Sequence, residues 1–354
     1  MSETGSEIIT VKFMAKGHRG DDHWHWQRQM PTGEESRWGR CRFVFEQDAR
    51  EYDWLVAYDD LAPRGSERFS NRVERLACPR EHSIFITQEP SSVKVYGSAF
   101  LRQFGHVLSS QEPWALAHPS VHRAQPALRW FYGVGFDGTI SSFEDLCNAT
   151  MPEKTSVLST VCSSKRMGHT MHRMRYDFTQ ELKASMAELD VFGRGVRPIN
   201  DKAEALDGYR YHLCIENHVC DHHWTEKLSD AFLGWTLPLY CGAPNALEYF
   251  PEESFVPIDI RDTQGAIARI REVIEGGEFE QRIDAIREAR EMVLRRYNLF
   301  NVLSEIIEAH DTGGRGSQGD AIEGRHGFRN RHPIQGLGYL IERQRVRARS
   351  RRLH

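Results

Sequence analysis

Short runs of β-branched and aromatic residues recur along the chain, and most are followed by polar or helix-patterned sequence. In the first half, IITVKFMA (8–15), RFVF (42–45), WLVAY (54–58) and SIFIT (83–87) read as strands, with a weaker one near HVLSS and a helix over SNRVERLA. The second half repeats the alternation, with strands at SVLSTVC (156–162), LDVFG (189–193), YHLCIE (211–216), LPLYC (237–241) and SFVPID (254–259). HRMRYDFTQELKASMAEL and TEKLSDAFLGW lie between them as helices. Strands that alternate with helices build parallel sheets, because a parallel neighbour needs a long crossover and a helix supplies it. Two such series, divided near 134–155, predict an α/β protein with two Rossmann-like domains facing each other across a cleft, over residues 1–150 and 151–262. A helical stretch over 263–310, with EFEQRIDAIREAREMVLRRYNLFNVLSEIIEAH as its long member, is expected to brace them. DTGGRGSQGD then breaks all periodicity, so 311–354 reads as a linker and an arginine-rich tail.

Composition narrows the class. A chain of 354 residues exceeds the size at which one core stops growing, which agrees with two domains. The net charge of −4 speaks against a nucleic-acid partner. Seven cysteines at irregular spacing, with no CxxC pair and no secretory leader, point to reduced thiols in a cytoplasmic setting. No apolar run reaches the roughly 18 residues of a membrane span. The last forty residues hold ten arginines. That tail reads either as an anionic-membrane contact at the inner face or as a solvated extension.

The most crowded chemistry lies in ENHVCDHHWTEKL (216–228). Glu216 and Asn217 follow an apolar strand, at the end where ligands sit in open α/β sheets. Thr225 is a good N-cap, and Leu228, Ala231, Phe232 and Trp235 recur at helical spacing. The polar residues between therefore form a loop entering a helix N-terminus, a place suited to phosphate. Adjacent His222 and His223 point apart on any regular backbone and no partner pair at zinc-like spacing follows, so no metal site is assigned. A solvated capping turn fits the local sequence as well as a phosphate site does. DDHWHW (21–26) reads as a metal or carbohydrate platform or as a buried aromatic cluster, and GRGVRP (193–198) is only a fragment of a dinucleotide fingerprint.

The stretch from YRYHLCIENHVCDHHWTEKL to SFVPID resembles the donor-binding core of glycosyltransferase family 10, the α-1,3/1,4-fucosyltransferases. The family's pattern of E-N, T-E-K, a Pro-containing strand, a Gly-Pro turn and an S-F strand appears in order. Here it reads Ile215-Glu216-Asn217, Thr225-Glu226-Lys227, Leu237-Pro238, Gly242-Ala243-Pro244 and Ser254-Phe255-Val256. HRMRYDF and LDVFGR resemble the family's R-x-R-Y helix and its following strand. FITQEP resembles an element of the acceptor-side domain. Where the family has an aromatic and a Val or Ile before T-E-K, this chain has His223 and Trp224.

The resemblance implies a GT-B-like fold and inverting transfer of fucose from GDP-fucose to a hydroxyl of a glycan acceptor. It implies Glu89 as the general base. Arg173, Tyr176, Asn217, His223, Thr225, Glu226 and Lys227 would bind the donor, with Arg173 on the pyrophosphate. Two cations and a helix end meet the departing phosphate charge, so no metal cofactor is expected. Two other readings stay open, a same-fold enzyme using another nucleotide sugar and a non-catalytic glycan- or nucleotide-binding relative.

Overall fold

The computed structural model describes all residues except 1–6, 18–22, 34–35, 66, 127–128, 165–170, 314–319 and 354. The chain forms two compact units, one of residues 1–127 with 299–353 and one of residues 128–298. The division therefore falls earlier than residue 150, and the chain returns to its first unit after completing the second.

The first unit is built on β1 (Ile9–Ala15), β2 (Arg37–Trp38), β3 (Cys41–Val44), β4 (Trp54–Tyr58), β5 (Val73–Arg75), β6 (Ser83–Ile86), β7 (His106–Ser109) and β8 (Val121–Arg123). Seven of these form one sheet in the order β2-β3-β1-β4-β6-β7-β8, parallel throughout except for the short β2. Every residue of β4 and β6 is buried, as expected where a parallel sheet is covered on both faces. The second unit carries β9 (Ser156–Val161), β10 (Leu189–Phe192), β11 (Tyr209–Ile215), β12 (Leu237–Cys241) and β13 (Val256–Pro257). They form a fully parallel sheet in the order β10-β9-β11-β12-β13. Each unit is thus an α/β layer of the Rossmann type that the alternation predicts.

Three expectations are corrected. SNRVERLA is no helix; its centre is β5, which pairs antiparallel with β14 (Ala321–Glu323). The side chains of β5 alternate exposed, buried, exposed, and the buried one is Glu74. Its carboxylate accepts from Lys12 Nζ at 2.6 Å and from Arg72 Nε at 2.9 Å, all three side chains being out of water. A period-two pattern whose inward residue is charged looks helical and solvated until its partners are known. Removing one member of such a group strands the others without solvent. Glu74→Ala should therefore destabilise the first unit by about 3–5 kcal/mol, read from urea unfolding curves; a loss near zero would mean that water reaches the group.

The single long helix is three, over Glu278–Gln281, Ile283–Leu294 and Leu299–His310. Fully buried Asn298 ends the second of them, its Nδ2 donating to Leu294 O at 3.1 Å, and the break coincides with the division between units. The tail beyond the linker is ordered as well. Pro333–Leu353 is helical, Val346 and Ser350 are buried, and Glu342 accepts from Ser98 N and Oγ at 3.0 and 2.7 Å. Most of the linker lies outside the described residues. No helix among the described residues is long and apolar enough to cross a membrane.

Of DDHWHW, Asp21 and Asp22 also lie outside the described residues. Trp26 is buried against Phe13 and Tyr58, at 5.9 and 6.2 Å between ring centroids, as a core aromatic. None of the seven cysteines, all among the described residues, is in a disulfide. Burial lifts the Cys41 and Cys78 thiols to about 12, so both behave as inert core residues.

Candidate active site

β11 lies at the centre of the second unit's sheet, between β9 and β12, and its carboxyl end delivers Glu216. The Glu216 backbone N–H donates to Cys241 O at 2.8 Å, which locks this end against β12. The side chain is completely buried. Its Oε1 accepts from Thr225 N and Oγ1, both at 2.8 Å, so the strand end is tied to the start of the following helix. Gly242 sits against it. A β-carbon there would approach Glu216 Cγ to 2.7 Å and the Tyr240 hydroxyl oxygen to 2.1 Å, so only glycine fits.

Thr225 caps the Glu226–Leu233 helix, accepting from Lys227 N at 3.3 Å, as its sequence position predicts. Leu228, Ala231 and Phe232 form the buried face. This fixes Lys227 at the first turn, with Nζ 3.2 Å from Glu216 Oε2, 3.0 Å from Glu226 Oε1 and 3.1 Å from Thr225 Oγ1. One ammonium thus bridges two carboxylates. Burial alone would lower the Lys227 pKa, but the two carboxylates raise it above its ordinary value. Burial pushes Glu216 up against the pull of Lys227. Glu226 is held down to about 2, because Lys227 and Lys202 outweigh its burial. Lys227 and Glu226 each keep about a fifth of their side chain exposed (20% and 22%), whereas Glu216 keeps none. Glu216 is therefore the fixed counter-charge, and the other two face outward.

The His172–Ser185 helix adds a further cation. Arg173 and Arg175 lie on opposite sides of it. Arg173 is mostly exposed and pairs with Asp177 at 3.6 Å across one turn. Arg175 is buried, its charge bears on Lys227, and its Nε has no hydrogen-bond partner among the described residues. The structure thus turns Arg175, not Arg173, toward the Lys227 group. Tyr176 is half-buried beside it. Asn217 accepts from Met171 N through its backbone carbonyl at 3.2 Å. Its side-chain Oδ1 is buried without a partner among the described residues. An unpaired buried acceptor and an unpaired buried guanidinium nitrogen are both costly unless something meets them.

The histidines take other places. His222 adopts a left-handed conformation (φ 65°), and its Nδ1 lies 2.7 Å from the Tyr249 hydroxyl. His223 is buried, edge-on to His218 at 5.6 Å. The two side chains part, as their adjacency requires. Trp224 is buried among Tyr249, Phe250 and Tyr297 at 4.9–5.6 Å. This departure from the family's Val or Ile is met by a local aromatic core.

Residues 151–274 match the profile described as glycosyltransferase family 10 (fucosyltransferase) C-term. That segment of the chain is similar to glycosyltransferase family 10. Over 74 residues it is 35% identical to alpha-(1,3)-fucosyltransferase FucT of Helicobacter pylori, covering 21% of this chain and 16% of that protein. Over 121 residues it is 29% identical to the 4-galactosyl-N-acetylglucosaminide 3-alpha-L-fucosyltransferase of Homo sapiens, covering 33% and 32%. The match thus spans about a sixth of the first relative and about a third of the second. A crystal structure of an alpha1,3-fucosyltransferase with GDP-fucose aligns over 80% of this chain and 83% of its own, with 16% identity and a TM-score of 0.46. The family-10 segment contains Arg175, Asn217 and the Glu216–Thr225–Lys227 group.

Glu89 belongs to the first unit, just beyond the carboxyl end of β6. Its backbone N–H donates to the Tyr96 hydroxyl at 3.2 Å, and its carbonyl accepts from Gln111 Nε2 at 2.7 Å. The Tyr96 hydroxyl in turn donates to Asp59 Oδ1 at 2.5 Å, beyond the end of β4. Lys94 Nζ lies 2.5 Å from the same carboxylate oxygen, and burial lowers its pKa to about 8 in spite of Asp59. Glu89 is thus held at its backbone while its side chain stays half-buried.

Proposed function

We propose that the protein transfers fucose from GDP-fucose to a hydroxyl of a glycan acceptor, with inversion at the anomeric carbon. The observation that carries this reading is the Lys227 ammonium at the mouth of a capped helix, oriented by buried Glu216, inside the family-10 segment. An ammonium pinned from behind by a buried carboxylate keeps its charge and its place while one side remains open to an anion.

In this reading the donor pyrophosphate lies against Lys227, Arg175 and the positive amino end of the Glu226–Leu233 helix. Arg173 is the outer member of the arginine pair. Glu226 accepts from the ribose hydroxyls, and Asn217 Oδ1 accepts a further donor hydroxyl. Thr225 positions Lys227; Tyr176 and His223 complete the pocket wall. Glu89 takes the proton of the acceptor hydroxyl as its oxygen bonds to the anomeric carbon. The bond from that carbon to the phosphate oxygen breaks, and GDP leaves with the electron pair.

The nucleotide is tested first. GDP is expected to raise the melting temperature, with UDP, CDP and dTDP giving little change, and GDP release from GDP-fucose is expected to depend on an acceptor sugar. Stabilisation by UDP and not by GDP would move the protein to a different donor.

A further inference from the structure

A cluster of histidines lies at the amino ends of the strands of the first unit's sheet, the end opposite Glu89. His106 opens β7, His122 is the second residue of neighbouring β8, and His310 ends the Leu299–His310 helix. Each offers one ring nitrogen, and the three nitrogens lie within 4.8 Å of one another. We propose that His106, His122 and His310 bind a divalent transition metal, with zinc as the best match, and that this metal fastens the returning helix to the sheet.

Three features of the geometry carry the proposal. His122 Nε2 and His106 Nδ1 are 3.1 Å apart. Two imidazoles on a tetrahedral zinc, with Zn–N of about 2.0 Å, hold their nitrogens about 3.3 Å apart, so little movement is needed. His310 Nδ1 lies 2.8 Å from Ile306 O. A carbonyl only accepts, so Nδ1 carries the hydrogen and Nε2 keeps its lone pair. Metal-ligating histidines are oriented by this kind of contact. Finally, the cluster is stiff on one side and adjustable on the other. Trp54 stacks on His106 at 5.7 Å and on His82 at 4.6 Å, while His310 is exposed at a helix end and can swing inward.

The neighbouring histidines are used elsewhere. His82 contacts Asp53 O and Thr312 Oγ1, and His118 contacts Ser120 O in its own loop and Phe104 O ahead of β7. No carboxylate belongs to the three-residue set, and an all-imidazole set favours zinc, copper, nickel or cobalt over magnesium or calcium. Ser120 Oγ contacts His106 Nδ1 at 2.8 Å and must turn aside when metal enters. In the His106–His122 pair the ring that donates shifts its hydrogen to its far nitrogen, and both rings stay neutral. The fourth position opens toward solvent at His310 and takes water.

The test uses the full chain stripped with a chelator and titrated with Zn²⁺ by calorimetry, then with Co²⁺ followed by visible absorption. Wild type is expected to bind one zinc with a rise in melting temperature, and to give the visible bands of tetrahedral cobalt. His310→Ala removes an exposed side chain, so the fold should persist, as circular dichroism would verify. It should weaken zinc at least about 100-fold and abolish the cobalt spectrum. His122→Asn should do the same. Wild-type protein that takes up no zinc, or variants that bind it as well as wild type, would overturn the site.

Discussion

Replacing Glu89 with glutamine is expected to lower the transfer rate by about 10²–10⁴-fold while leaving GDP-dependent stabilisation intact. The amide keeps the size of the side chain and most of its hydrogen bonding but cannot accept the acceptor proton. The backbone contacts of Glu89 with Tyr96 and Gln111 do not involve the carboxylate, so the loop should keep its conformation. The measurements are single-turnover transfer from GDP-fucose and a GDP thermal shift on the same preparation. A variant that transfers at the wild-type rate would remove Glu89 from the chemistry. One that lost the GDP shift as well would assign it to donor binding.

Lys227→Ala is the complementary case. It should abolish the GDP shift and lower transfer by at least about 10²–10³-fold, because the departing phosphate loses its fixed cation. The substitution also leaves Glu216 buried without its ammonium. Burial already raises the Glu216 pKa, so in the variant this carboxyl should take up a proton on folding. The folded state then binds more protons than the unfolded one, and stability falls as pH rises above the ordinary carboxylate range. The variant should thus be closer to wild type in stability at pH 5 than at pH 8. A GDP shift that survives in folded Lys227→Ala would refute the phosphate role. A stability loss independent of pH would mean that Glu216 is not the group left exposed to the change.

These two residues show what the sequence makes legible. Lys227 could be placed because a cap, an amphipathic helix and an apolar strand are local patterns, each fixed within a few residues. Strand β4 was readable residue for residue for the same reason, since a run buried on both faces is apolar throughout. Glu216 is visible as part of a motif, yet its service as a buried counter-charge depends on Thr225 and Lys227, nine and eleven residues on. The choice between Arg173 and Arg175 turns on which side of one helix faces β11, and spacing alone does not reveal that. β5 was hidden more deeply: its inward residue is an acid made tolerable by Lys12 and Arg72, and its strand partner lies beyond residue 320. The histidine cluster is built from three separate elements and leaves no mark in any one of them.

The pairing of β5 with β14 also bears on how the protein is made. Residues 128–298 form one uninterrupted segment, whereas the first unit is closed by residues 299–353. On the ribosome the second unit emerges whole and can complete its sheet, while Glu74 and its strand edge still lack the partner at 321–323. Contacts of such long sequence separation form late. The first unit to be synthesised is therefore the last to finish folding, and its open β5 edge is where a chaperone or an aggregating neighbour would find it.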